Sequence, residues 1–189
     1  MSQEAFQFPS IHEFPPFFTR QPTEATWHSQ ASQWADLILS YCRYHRIYRI
    51  DLHQVTMPSA STLFENTRIK RRLSFETLQD IIDRMVDQGT ADWEGGSKGD
   101  KSQALIYWRK PEDWANLIWT WVNQVGVNNS IVTVYEILHG ELAEGQEFYE
   151  MDKTVLLKAL NVLVKRGHAQ IFSSSEDEDS MGVKFFGSQ

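Results

Sequence analysis

Leu73-Ser74-Phe75-Glu76-Thr77-Leu78-Gln79-Asp80-Ile81-Ile82-Asp83-Arg84-Met85-Val86-Asp87-Gln88-Gly89-Thr90-Ala91-Asp92-Trp93 is the stretch from which the fold can be read. Ser74 is a good N-cap, because its hydroxyl can accept from an orphan amide of the first turn. The apolar residues then recur at helical spacing until Gly89, the residue best suited to end a helix in the left-handed conformation. A short strand over Thr90 to Trp93 follows. One constant shift along the chain, with no gap, carries Leu78 onto Leu156, Ile82 onto Leu160, Met85 onto Leu163 and Val86 onto Val164. The same shift takes Gly89 to Gly167, Ala91 to Ala169, Trp93 to Ile171, and Tyr107 and Trp108 to Phe185 and Phe186. Self-similarity of this kind marks two copies of one structural unit.

Working outward, each copy opens with an amphipathic helix. Trp34, Leu37, Ile38, Tyr41 and Cys42 follow the i, i+3, i+4, i+7, i+8 pattern, with Trp27 and Ala31 extending the stripe backwards. Trp114, Leu117, Ile118, Trp121 and Val122 repeat it. There Pro111 suits the first helical position, and Glu112 and Asp113 favour the positive end of the helix dipole. The second long helix of the later copy is predicted from Asp152 to near Gly167, and its hairpin pairs His168 to Phe172 with Val183 to Phe186. The earlier hairpin pairs Thr90 to Trp93 with Ala104 to Arg109. A shorter helix is expected between the long ones, over Ser61 to Lys70 and Val132 to His139. Three helices followed by a β-hairpin is the winged-helix arrangement. The predicted class is therefore α+β, mostly helical: two tandem winged-helix domains over 23–109 and 110–189, preceded by an extended segment over 1–22.

That segment is the least ordinary part of the chain. Phe6-Gln7-Phe8-Pro9 and Phe14-Pro15-Pro16-Phe17-Phe18 are too rich in proline for an α-helix, and paired prolines favour an extended polyproline conformation. Proline pre-orders the backbone and phenylalanine supplies large apolar anchors, so the segment predicts a docking element. The alternative is that the segment folds back over its own first domain, and the two readings combine in an arrangement where Phe8 and Phe14 pack inward while Phe17 and Phe18 reach a partner.

Charge narrows the function. The chain of 189 residues carries a formal net charge of −7, whereas affinity for phosphate backbones comes from a surplus of Lys and Arg. The helix from Ser74 carries Glu76, Asp80, Asp83 and Asp87 against Arg84 alone, which would repel DNA. Its counterpart is basic, with Lys153, Lys158, Lys165 and Arg166 against Asp152, yet its wing holds Glu176-Asp177-Glu178-Asp179. Arg68, Lys70, Arg71 and Arg72 form the other basic run, read as a solvated helix face or as a contact for an acidic partner or lipid headgroups.

Enzymatic readings find no support. Gly95 to Ser102 ends like a phosphate-binding loop, but Asp100 holds the required glycine position and the loop joins two strands rather than a strand to a helix. The six histidines show no zinc-protease spacing, and Cys42, the one cysteine, lies on an apolar stripe as a buried structural thiol. No cofactor is expected. The first residues lack the basic and apolar regions of a secretory signal, and the chain reads as cytoplasmic. A winged-helix regulator that binds nucleic acid is the alternative from another class.

Several stretches together resemble the ESCRT-II subunits of endosomal sorting. They are Phe14-Pro15-Pro16-Phe17-Phe18-Thr19, Gln21-Pro22, Gln33-Trp34, Tyr41-Cys42-Arg43, Arg109-Lys110-Pro111-Glu112-Asp113-Trp114, Asn128-Asn129-Ser130, Thr133-Val134-Tyr135-Glu136 and Gly182-Val183-Lys184-Phe185-Phe186. The likeness covers nearly the whole chain in order. It implies a non-enzymatic subunit present in two copies per complex, one copy on each larger subunit of the vacuolar-protein-sorting 22 and 36 types. The docking residues it implies are Phe14, Pro15, Pro16, Phe17 and Phe18. Some members carry Tyr where this chain has Phe18, so a hydroxyl contact would be missing while the apolar anchor remains. It also implies that the second domain recruits an ESCRT-III subunit of the vacuolar-protein-sorting 20 type, for which Lys153 and Lys158 are candidates. Membrane contact would be indirect, with peripheral recruitment to endosomes in multivesicular-body sorting.

Overall fold

The computed structural model describes residues 5–173 and 181–187. It divides into two compact units, Met1–Trp108 and Arg109–Gln189. The first contains α1 (Glu24–His45), β1 (Arg49–Asp51), α2 (Leu52–Val55), β2 (Glu65–Asn66), β3 (Arg71–Arg72), α3 (Phe75–Asp87), β4 (Ala91–Trp93) and β5 (Gln103–Ile106). The second contains α4 (Pro111–Val125), β6 (Ile131–Thr133), α5 (Val134–His139), α6 (Lys153–Lys165), β7 (Ala169–Phe172) and β8 (Gly182–Phe185). The class is α+β; among the described residues each unit has three α-helices and ends with a long helix leading into a hairpin, and the first unit has the additional β2–β3 hairpin.

The repeat survives down to individual caps. Ser74 Oγ accepts from Thr77 N at the start of α3, and Asp152 Oδ1 accepts from Val155 N at the equivalent point of α6. Both helices end through a left-handed glycine, Gly89 with φ 73° and Gly167 with φ 75°. Thr90 N then bonds back to Met85 O and His168 N to Leu163 O, each at 2.9 Å. Orphan carbonyls are thereby satisfied identically in the two copies.

Each hairpin gains a third strand that the sequence reading did not anticipate. The sheets run β1-β5-β4 and β6-β8-β7, all antiparallel, with Ile50 opposite Ala104 and Val132 opposite Val183. Three-residue strands such as Arg49-Ile50-Asp51 are too short for alternation to be legible. A second difference lies between the long helices. The expected helix over Val132 to His139 forms as α5, but its counterpart is α2, not Ser61 to Lys70. Asp51 Oδ1 caps α2 through Gln54 N at 3.0 Å, as Thr133 and Glu136 cap α5 in a reciprocal box. Ser61 to Lys70 forms turns and the first strand of the β2–β3 hairpin, with Lys70 left-handed at φ 54°. The basic run therefore lies on a hairpin rather than on a helix face.

The first core joins Trp34, Ile38 and Cys42 of α1 to Leu78, Ile81, Ile82 and Met85 of α3, with Leu63, Phe64 and Leu73 closing one side. The second gathers Trp114, Ile118, Trp121, Leu156, Leu160, Leu163 and Phe185, all at most 2% exposed. Burial pushes the Cys42 thiol up to about 12, so it is uncharged and has no thiolate character. The acidic wing Glu176 to Ser180 lies outside the described residues.

A Cβ added at Gly89 or Gly167 would meet nothing within 4 Å, so any penalty is purely conformational. Gly89→Ala and Gly167→Ala should each destabilise their own unit by about 1–2 kcal/mol, the cost of left-handed backbone for an L side chain. Chemical denaturation of the two variants checks this, and unchanged midpoints would refute the cap assignment.

Candidate docking site

Gln30 and Trp34 lie one turn apart on α1, which puts them on the same helix face. Both point at the backbone of the N-terminal segment. Trp34 Nε1 donates to Phe17 O at 2.8 Å. Gln30 Nε2 donates to Phe17 O at 2.8 Å and to Thr19 O at 2.9 Å, with a longer contact to Pro16 O at 3.3 Å. Its Oε1 accepts from Gln21 N at 3.2 Å. A buried amide has no water to satisfy it, so a polar side chain 5% exposed is well used here.

The pinned backbone is not extended. Ser10–Glu13 and Pro15–Phe18 form two 3₁₀ turns, with prolines in the first positions of the second. A proline φ near −65° suits such a turn, and its missing N–H is an orphan there in any case. This local choice reverses the expected orientation of the aromatics. Phe17 and Phe18 are each 3% exposed, whereas Phe14 is 54% exposed. The Phe17 ring stacks on Trp34 with centroids 4.2 Å apart and planes 1° from parallel, and Phe18 meets Trp34 edge-on at 5.4 Å. Burying each phenylalanine contributes on the order of 2–3 kcal/mol. Phe8 does turn inward, half-buried against His12 and Tyr41.

A second anchor was not foreseen. His12 is 4% exposed, with Nε2 2.9 Å from Leu63 O, and Asn66 Nδ2 donates to His12 O at 2.8 Å. Burial is the main reason its pKa falls below the usual 6.5, opposed by the Leu63 carbonyl and Glu13. Outside it, Arg68 grips Glu13 Oε2 through Nε at 3.0 Å and Nη2 at 2.6 Å, and that guanidinium holds the Glu13 carboxyl below its ordinary range. Arg20 pairs with Asp80 of α3 and lies 4.8 Å over the Trp27 ring. The long sequence separation of His12 from Leu63 and Asn66 leaves no local signal by which these partners could be read.

Of the five predicted docking residues, Phe14 and Pro16 remain exposed and Pro15 is half-exposed. A recess of about 290 Å³ beside them is lined by Ile11, Phe14, Pro16, Phe17, Gln30 and Gln33, among others. The predicted docking residues are thus brought together but divided by burial, with Phe17 and Phe18 buried, Phe14 and Pro16 exposed and Pro15 between. Lys153 and Lys158 fare differently. Both are half-buried on α6. Five residues separate them, which turns them about 140° apart around the helix axis at 3.6 residues per turn. Lys158 lines up instead with Thr154 and Lys165. Apolar surface in this unit is most exposed at Ile131 (65%), Tyr135 (60%) and Leu142 (61%); Tyr135 lies in one of the stretches that carry the resemblance, and none of the three was predicted as a contact. Among the described residues no group of three or more His, Cys, Asp or Glu could hold a metal ion, and no helix is long and apolar enough to cross a membrane.

Comparison with known proteins adds a family. The model of the ESCRT-II complex subunit family matches residues 11–152. Vacuolar protein-sorting-associated protein 25 of Dictyostelium discoideum is 42% identical, over 98% of this chain and 99% of that protein. The Homo sapiens protein of the same name is 38% identical over 96% and 98% of the two chains. The crystal structure of subunit VPS25 of the endosomal trafficking complex ESCRT-II superposes with a TM-score of 0.81 at 27% identity, covering 94% of this chain and 99% of that one. A chain of the endosomal complex ESCRT-II (VPS22/VPS25/VPS36) matches with a TM-score of 0.78 at 28% identity, over 94% and 98%. Fold, order of motifs and near full-length coverage agree, and this chain belongs to the ESCRT-II complex subunit family.

Proposed function

We propose that the chain is a non-enzymatic adaptor, built of two winged-helix domains, that docks its N-terminal segment on larger ESCRT-II subunits of the VPS22 and VPS36 types. One copy sits on each, two per complex. The observation that carries this reading is Phe14, a large apolar side chain left 54% exposed on a backbone held on either side at His12, Phe17 and Thr19. A rigid aromatic loses little entropy on binding and is the kind of anchor that dominates interface energy. Phe14, Pro15 and Pro16 are the contact face, and Phe17 and Phe18 keep that face in shape. The solved VPS22/VPS25/VPS36 assembly supports the choice of partners. The second unit recruits an ESCRT-III subunit of the VPS20 type in multivesicular-body sorting, through the α6 face that carries Lys158, with Lys153 near its start. Endosomal recruitment is peripheral and comes through the partner subunits.

Binding to immobilised VPS22/VPS36-type subunits tests the docking face. Phe14→Ala and Pro16→Ala should weaken binding about tenfold or more with unchanged melting temperature, as for interface anchors. Phe17→Ala should instead destabilise the first unit by about 3–5 kcal/mol, as for a core phenylalanine. Wild-type affinity in the first two variants would move the docking surface elsewhere.

Reversing Lys158 tests the second unit. Lys158→Glu is expected to weaken capture of a VPS20-type subunit while leaving assembly with the larger subunits intact. Equal capture by native and variant chains would remove α6 from that interface.

Acid should loosen the docking base. His12 has a folded pKa below its ordinary 6.5, so the unfolded chain binds the proton more readily. Stability from this group is present above 6.5 and is lost as pH falls through the window beneath it. Denaturant midpoints taken between about pH 7 and pH 5 should fall for the native protein and fall less for His12→Gln. Parallel slopes would show that His12 is not responsible.

A further inference from the structure

Arg71 and Arg72 form β3 and are both exposed; Leu73 and Ser74 follow before α3 begins at Phe75. The spacing is Arg-Arg-Leu-Ser-Phe, with guanidinium groups three and two residues before a serine hydroxyl and an apolar ring after it. Arginine-directed protein kinases choose substrates by such charge patterns, because acidic groups in their clefts grip the guanidinium forks while an apolar pocket takes the next side chain. We propose that Ser74 is a phosphorylation site for a kinase of that class.

The geometry of the strand supports this. Ser74 is exposed and has φ −76° and ψ 156°, and Arg71 and Arg72 lie in a strand, so the serine and the two arginines already have the extended form in which kinases bind substrate. The β2–β3 hairpin joins only Glu65 to Arg72 and Asn66 to Arg71. Four contacts resist capture: Leu73 is fully buried with its N–H bonded to Phe64 O at 2.8 Å, the Phe75 ring stacks on His53 at 4.4 Å, the Ser74 hydroxyl donates to Thr77 Oγ1 at 3.0 Å, and Arg72 pairs with Glu65 at 3.9 Å. Transfer therefore needs the first turn of α3 to open locally, a motion that costs less than global unfolding. In the step itself Ser74 Oγ attacks the γ-phosphorus of ATP. The Oγ–P bond forms, the bond to the β-phosphate oxygen breaks to release ADP, and the hydroxyl proton passes to the carboxylate base of the kinase.

The product has a place to sit. A surface recess of about 770 Å³ is lined by Lys70, Arg71, Arg72 and Ser74, with Glu65 the one carboxylate among its walls. A phosphoserine brings a charge of about −1.5 to −2 and three acceptor oxygens. Those oxygens can take over the bond from Thr77 N that the Ser74 hydroxyl now accepts at 3.2 Å. Modification would neutralise the basic edge next to which the Pro15–Phe18 turn packs.

The test uses the full native chain with a purified arginine-directed serine kinase, ATP and Mg²⁺, and maps the product by peptide mass spectrometry. One phosphate on Ser74 is expected. The initial rate should fall about tenfold or more in an Arg71→Ala, Arg72→Ala double variant, which loses two charge-assisted contacts. Ser74→Asp should accept none while keeping a good N-cap, and circular dichroism of both variants separates loss of recognition from loss of fold. Phosphate elsewhere, no phosphate, a rate indifferent to the arginines, or incorporation only after unfolding in urea would each overturn the proposal.

Discussion

The carbonyl of Phe17 accepts hydrogen bonds from both Trp34 and Gln30, one turn apart on α1, and much of the first unit's outer surface follows from that fixed point. With the Phe17 carbonyl turned toward the helix, its ring is forced flat against Trp34. Phe18 fills the adjoining corner, and the 3₁₀ turn that joins them turns Phe14 outward. Neither donor is free to leave, because a buried amide or indole N–H without a partner costs on the order of 1–3 kcal/mol. A segment whose composition suggests an extended docking element is instead an integral wall of the first core.

The same economy governs the charges. Two of the four carboxylates of α3, the helix whose acidity argues against DNA reading, are occupied within the unit. Asp80 meets Arg20 of the segment. Asp83 takes both the Trp93 indole N–H at 2.8 Å and Lys101 at 2.7 Å, tying α3 to its hairpin. These pairs are partly exposed, so each contributes little to stability by itself. Their value is geometric: they set the segment and the hairpin at fixed positions on one helix. An adaptor needs that property, since a pre-shaped contact face avoids the ordering cost that a flexible peptide meets on binding.

Much of this was legible in the chain. The heptad-like stripe from Trp27 to Cys42, the caps at Ser74 and Asp152, and the glycine stops at Gly89 and Gly167 are local signals, and each appears where it was expected. The misreadings have a common physical origin. Ser61 to Lys70 carries helix-compatible residues, but Leu63 and Phe64 are drawn into the core and Asn66 is used to hold His12. Strands β1 and β6 exist because β5 and β8 each have a free edge to cover, a requirement that belongs to the sheet and not to Arg49-Ile50-Asp51 or Ile131-Val132-Thr133.

By itself the sequence determined the repeat, the α+β class, the long helices with their limits, and the importance of the Phe14 to Phe18 stretch, because periodicity, caps and composition act over a few residues. Only the tertiary structure decided which phenylalanines face inward. Phe14, Phe17 and Phe18 are chemically alike, and nothing local distinguishes them. The distinction comes from Gln30 and Trp34 of α1 and from Leu63 and Asn66, just before and in β2, groups that meet the segment only after the chain has closed upon itself.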